Sequence, residues 1–223
     1  MKIVNISSVF LISCLCFVFF CSCNSKMAAV KNADQMECKK VDLEESWLFD
    51  WNKTRECSVK MKRRGLDKAT AQKMDFIEGE WYYLKNDPDG AVYKFASAVK
   101  GPDCLVSKAS VYYLKRMGHR LNEGDLLSIE ECKQDPGSDF QRYLALLGQK
   151  SEDPRSVDLD KFHELYSNVL GSDTPPLLYN IALSAIECSN FKQGYELLRN
   201  ISLRFPEFEK VSAVLKELDI KDE

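Results

Sequence analysis

The sequence predicts an all-α fold built as a linear array of helix pairs, and three observations predict it. From Gly79 onward, Tyr82 follows a small residue after one helical turn, Ala91 and Phe95 come next, and Ala98 precedes a closing Pro102. That is the spacing of a helix–turn–helix repeat of about 34 residues. Proline recurs at Pro102, Pro136 and Pro206, gaps of one and two such periods. From Leu66 onward the apolar residues keep helical rather than strand spacing. Gly and Pro number only 10 and 7 in 223 residues, too few for the many turns of a β-sandwich.

The first 22 residues differ from the rest: Lys2 is their sole charged side chain, and Ile3 to Phe20 is mostly apolar. Their length and position fit an export signal over residues 1–22. An uncleaved membrane anchor is the alternative, because about 18 apolar residues nearly suffice to span a bilayer. The end of this segment, Phe20-Cys21-Ser22-Cys23, resembles a bacterial lipobox, which implies lipidation at Cys23. Phe20 stands where Leu is usual. Leu11-Ile12-Ser13-Cys14 fits the pattern too but leaves a very short signal, and ordinary cleavage near Ala28-Ala29 is a further alternative.

Residues 23–40 are polar and lysine-rich and read as a tether. Residues 41–65 carry Leu43, Trp47, Leu48, Phe49 and Trp51, too many large apolar groups for a free tail. They are expected to pack on the first repeat as a cap, or else to form an exposed partner patch. Lys60, Lys62, Arg63 and Arg64 read as a solvated face.

The repeat region spans about residues 66–220. A helix is predicted from Leu66 to Leu84. Asp87 caps the next helix with Pro88 at its first position, and Gly101-Pro102 stops it. A second unit runs from Leu105 to Cys132 with its turn at Arg120 to Gly124. A third has helices over Phe140 to Leu147 and Leu159 to Leu170, separated by a polar loop from Gly148 to Val157, and is expected to end at Pro175-Pro176. The fourth has helices from Leu178 to Ile186 and from Phe191 to about Ile201. A last helix from Phe208 to Leu218 is apolar on one face and charged on the other, as a terminal cap requires.

These residues resemble the tetratricopeptide (TPR) repeat. Gly79, Tyr82, Ala91, Phe95 and Ala98 match its pattern, and Ala182, Phe191, Gly194, Leu198, Ile201 and Pro206 match it again. Pro102 arrives one residue early, Ala185 replaces an aromatic, and Ser128 and Glu131 depart from the pattern in the second unit. The resemblance implies a right-handed α-solenoid of about four helix pairs plus a C-terminal capping helix. It also implies a concave groove lined by the first helices, with Lys73, Glu80, Tyr83, Tyr113, Arg116 and Tyr179 as the candidate partner-binding residues.

Chemistry-bearing motifs are scarce. HExxH, GxSxG, GxGxxG and P-loop patterns are absent from the sequence. Asp87 to Gly90 lacks the bidentate Glu of a calcium loop. His119 and His163, the only two histidines, have no metal-ligand spacing between them. No catalytic residue, cofactor or metal site is therefore expected. A net charge of −3 argues against nucleic acid as a partner. Of nine cysteines, Cys14, Cys16, Cys21 and Cys23 lie in or at the end of the signal, leaving Cys38, Cys57, Cys104, Cys132 and Cys188. Five is odd, so at least one stays free or pairs with another chain. Cys104 and Cys132 would sit at neighbouring ends of antiparallel helices and form the candidate disulfide, with separate buried thiols as the alternative.

The expectation is thus a non-enzymatic cell-envelope lipoprotein facing the periplasm or cell surface. Its groove would dock a protein or peptide partner. By family analogy, the alternatives are an outer-membrane protein assembly lipoprotein and a periplasmic transporter-associated protein that binds a small ligand. Replacing Cys23 with Ser is expected to abolish lipid attachment and release the chain from the membrane fraction; unchanged processing and sedimentation would sink the lipobox reading.

Overall fold

The computed structural model describes residues 38, 42–44, 47, 50–61, 65–121, 136–152, 159–168 and 174–219. The chain divides into two compact units, residues 1–41 and 42–223. Of the first, only Cys38 is described; it is buried and disulfide-bonded. The lipidation site Cys23 lies outside the described residues, as does Cys132.

The second unit is all-helical among its described residues. In order, the helices are α1 (Trp51–Lys60), α2 (Lys68–Leu84), α3 (Pro88–Val99), α4 (Cys104–Arg116), α5 (Asp139–Glu152), α6 (Leu159–Asn168), α7 (Pro175–Glu187), α8 (Phe191–Arg204) and α9 (Glu209–Asp219). Leu43, Glu44 and Trp47 also have helical backbone.

Local chemistry explains the boundaries. Four helices begin on an aspartate whose carboxylate accepts otherwise orphaned backbone N–H groups: Asp50 for α1, Asp67 for α2, Asp87 for α3 and Asp103 for α4. The ends of α2, α4 and α7 share one termination. Asn86, Gly118 and Ser189 take positive φ values of 60°, 71° and 63°. The N–H of the next residue then reaches back to the last turn, Asp87 to the Tyr82 carbonyl at 2.9 Å, His119 to Leu114 at 2.9 Å and Asn190 to Ala185 at 2.8 Å. Such left-handed caps stop a helix while satisfying its last carbonyls.

Two expected boundaries change. The loop expected from Gly148 is helix as far as Glu152, because Gly148 lies against α4: a Cβ there would stand 3.0 Å from the Lys108 Cβ. Pro175 and Pro176 do not end a unit but open α7. A proline ring loses nothing at the first helical positions, whose N–H groups have no intrahelical acceptor. The helix expected over the second half of the Leu105–Cys132 unit lies outside the described residues, and α4 packs most extensively on α5.

The other close pairs are α2 with α3 and α7 with α8. Small residues make them possible. A Cβ on Gly79 would fall 2.7 Å from the Phe95 ring, and one on Gly194 would fall 2.8 Å from the Ala182 carbonyl oxygen. Between α3 and α4, Gln72 fixes the connection. Its amide N–H donates to the carbonyls of Ala98 at 2.7 Å and Asp103 at 2.9 Å, and its oxygen accepts from the Asp103 N–H at 2.7 Å.

The array also folds back on itself, because α7 and α9 both pack on α2, the first helix of the repeat region. Tyr83 of α2 meets Tyr179 of α7 edge to face at 6.0 Å, and Lys210 of α9 sits 5.6 Å above the Tyr83 ring. One continuous core, from Trp47 to Val211, results.

Gly194→Ala should lower unfolding free energy by about 1–3 kcal/mol, since the new methyl meets Ile186 Cγ1 at 2.5 Å and the Ala182 carbonyl oxygen at 2.8 Å, and that backbone oxygen cannot swing away. Gly137→Ala, with a flexible Gln141 side-chain oxygen 3.6 Å away as its nearest contact, should be close to neutral. Urea denaturation compares them, and equal midpoints would refute this account of the α7–α8 contact.

Candidate functional site

At the centre of the second unit is a carboxyl group. Glu80 of α2 is fully buried. Its Oε2 accepts from the Trp47 indole N–H at 3.0 Å, and its Oε1 accepts from the hydroxyls of Tyr113 (α4) at 3.0 Å and Tyr143 (α5) at 2.7 Å. Asn180 of α7 donates to those same hydroxyls at 2.8 and 2.9 Å, which turns their protons toward Glu80. The Asn180 oxygen accepts from the Tyr112 hydroxyl at 3.1 Å. Arg116 donates to the Tyr112 oxygen at 3.3 Å and to Glu187 at 3.2 Å. Buried Lys150 donates to Ser184 at 2.8 Å and to Glu187 at 2.6 Å.

The N-terminal segment belongs to this site. The Trp47 ring packs 5.0 Å from Phe140 and 4.7 Å from Tyr143, and the Trp47 carbonyl accepts from the Thr174 hydroxyl at 2.7 Å. One helical turn earlier, Glu44 pairs with Lys73 of α2 and accepts from Ser138, before α5, at 2.6 Å. Glu44 and Trp47 therefore bridge α2, the start of α5 and the start of α7.

The ionisable groups respond to burial. Burial raises the Glu80 carboxyl from its ordinary 4.5 to about 8, outweighing the hydrogen bonds from Tyr143, Trp47 and Tyr113 that favour the charge. Tyr113 and Tyr143 are pushed well above 10 by burial and then by Glu80. At half-buried Glu44, desolvation acts upward, but Lys73 and Ser138 prevail and hold the carboxyl below its usual range. Burial lowers the Lys150 ammonium against the opposing pull of Glu187.

The six side chains expected to line an open groove are not one open surface. Glu80, Tyr83, Tyr113 and Tyr179 are buried. Tyr113 stacks on Phe95 at 4.5 Å, and Tyr83 packs edge to face on Tyr113 at 5.1 Å. Lys73 is half-buried against Glu44, and Arg116 is exposed beside Glu187. The cause is the closure by α7 and α9, together with Trp47 seated among the helices that were to form the groove wall. Of the candidate disulfide, Cys104 is disulfide-bonded, as are Cys38 and Cys57, while Cys188 is a free, exposed thiol.

The sequence points to Trp47 as part of a cap or partner patch but leaves Tyr143 and Asn180 out of the groove, yet a signal for them exists. Trp47, Glu80, Tyr113, Tyr143 and Asn180 succeed one another at intervals of 33, 33, 30 and 37 residues, close to one repeat period.

A cavity of about 270 Å³ lies on α5 and α6, lined by apolar Ala145, Leu146 and Leu165 and by the charged Arg142, Lys161 and Glu164. Among the described residues no group of three or more His, Cys, Asp or Glu side chains is placed to hold a metal ion, and no helix is long and apolar enough to cross a membrane. No protein-family model, curated protein or solved structure matches the chain.

Between about pH 4.5 and 8 the folded chain holds a proton on Glu80 that the unfolded chain has released. The contribution of Glu80 to stability is therefore full below about pH 4.5 and is lost as the pH rises through about 8. Glu80→Gln should flatten this fall and make the variant the more stable chain above pH 8, by an amount on the order of a few kcal/mol. Unfolding free energies at pH 5 and 8.5 test this; parallel pH slopes for both chains would disprove it.

Proposed function

We propose that this chain is an exported, lipid-anchored, non-enzymatic docking scaffold, a tetratricopeptide-like solenoid held at a cell-envelope membrane by Cys23 and a short tether. The observation that carries the docking reading is the seat of residues 44–47. There an aromatic anchor is enclosed by several helices, its indole N–H and backbone carbonyl are both bonded, and a neighbouring carboxylate meets a lysine. Buried aromatic anchors ringed by satisfied polar contacts are what protein segments present when they dock in grooves. The disulfide-bonded Cys38, Cys57 and Cys104 support export, since disulfides persist in oxidising compartments. We assign the partner of Cys104 as Cys132.

A second reading is a transporter-associated ligand-binding protein. What favours it is the cavity on α5 and α6, where apolar Ala145, Leu146 and Leu165 stand beside the charged Arg142, Lys161 and Glu164, a lining suited to a small amphiphile.

Photocrosslinkers placed at Lys73 and Arg116 should capture a defined envelope protein, and Lys73→Glu should reduce that capture at least about tenfold by opposing a partner carboxylate. Capture unaffected by the reversal would defeat the groove assignment. A small molecule retained in native mass spectra, and lost with Arg142→Glu, would favour the second reading instead.

A further inference from the structure

We infer that the seat around Glu80 is a receptor for helical segments that carry a carboxylate and an indole one turn apart, and that the chain's own Glu44 and Trp47 fill it as an intramolecular strap. The inference rests on the docking reading and names the partner chemistry for that same site.

The polar groups of the seat specify the occupant. Glu80 Oε2 takes an N–H donor, here the Trp47 indole at 3.0 Å. The Thr174 hydroxyl donates to a backbone carbonyl at the same residue, at 2.7 Å. Lys73 and Ser138 together take a carboxylate, here that of Glu44. Phe140 and Tyr143 form the aromatic wall on which the indole lies. Glu44 and Trp47 are three positions apart and both have helical backbone, a spacing that puts carboxylate and indole on one helix face.

The register supports interchange. Trp47 precedes Glu80 by 33 residues, as Glu80 precedes Tyr113. The strap thus takes the place that the first helix of one more repeat would take. A partner helix with Glu-x-x-Trp spacing can occupy that place with the same bonds, whereas a partner lacking the indole leaves Glu80 without that donor and is disfavoured.

The occupant competes with the strap. A strap seated nine-tenths of the time weakens an incoming segment about tenfold, because only the open fraction binds. Removing the indole removes that competition.

The test uses the full mature chain and a labelled synthetic peptide with the sequence of residues 42–50. Fluorescence anisotropy should show the peptide binding a Trp47→Ala chain at least about tenfold more tightly than the wild-type chain. A peptide with Ala at the indole position and Lys at the position of Glu44 should bind neither. Equal affinity for both chains, or none for the Trp47→Ala chain, overturns the proposal. If Trp47→Ala does not fold, hydrogen exchange of the wild-type chain decides. The amide of Trp47 should exchange through a local opening, faster than those of Phe76 to Glu80, and exchange only with global unfolding overturns the proposal. A wild-type dimer in which the segment crosses between copies would also overturn it, by making a second copy the occupant. A partner captured at Lys73 while Trp47 stays fully protected would refute this inference and leave the docking reading standing. Peptide binding to the emptied seat with no partner captured would do the reverse.

Discussion

Everything in the second unit is arranged around a carboxyl group shut away from water. Glu80 sits on the first helix of the repeat region, and its donors come from the N-terminal segment, α4 and α5, with α7 holding two of those donors in orientation. When charged, it is met by three neutral donors. Burying such a group costs free energy unless every bond is made at once. The helices around it are thereby constrained to one relative placement, because a shift of any of them would strand either the carboxyl or a tyrosine hydroxyl. Among the described residues Arg55 Nε is the one buried side-chain polar atom without a partner, and it lies away from this network, on a guanidinium 5.1 Å from the Trp81 ring.

That constraint explains why the array closes. An open array would leave Tyr83, Tyr113, Tyr143 and Tyr179 facing solvent along its inner wall. Each aromatic ring buries on the order of 150–250 Å² when enclosed, so four rings and an indole make a large incentive to bring α7 and α9 onto α2. Polar tips then need partners in the closed state, and Glu80 and Asn180 provide them. Burial and hydrogen bonding reinforce each other here: the rings draw the helices together, and the network selects the arrangement in which no tip is orphaned.

Much of the helix inventory is legible in the sequence because it depends on local chemistry. Asp87-Pro88 marks a helix start, and Gly79 and Gly194 mark close approaches that the structure makes at Phe95 and Ala182. Where sequence and structure differ, a local signal is ambiguous. Pro175-Pro176 can end one helix or begin another, and only the packing of the residues around it decides; Gly148 reads as a loop until α4 is seen lying against it. The site is half legible. Register singles out Glu80 and Tyr113 as groove residues, which is the right position with the wrong environment. Nothing local says whether an inner face stays open; that is decided by how far the array curls, a property of all the helices together. Residues 41–65 are expected to pack on the first repeat; Trp47 does bond Glu80 of α2, and its ring also lies against Phe140 and Tyr143 while its carbonyl is bonded by Thr174.

The closure also bears on the proposed repeat array. In an ordinary solenoid each unit touches its neighbours alone, so stabilities add along the chain and units can be gained or lost one at a time. Here the positions spaced by 33, 33, 30 and 37 residues carry four kinds of side chain: an indole, a carboxyl, two phenols and an amide. These are complementary rather than repeated, and each satisfies one of the others. Deleting a unit would remove a member of the set and leave buried donors or acceptors unmatched across the centre, a cost that falls on the whole domain rather than on one interface. In the proposed solenoid the number of units is thus set by the chemistry of one position. The element that enters from outside the repeat region, Trp47, is the member whose place another chain can take.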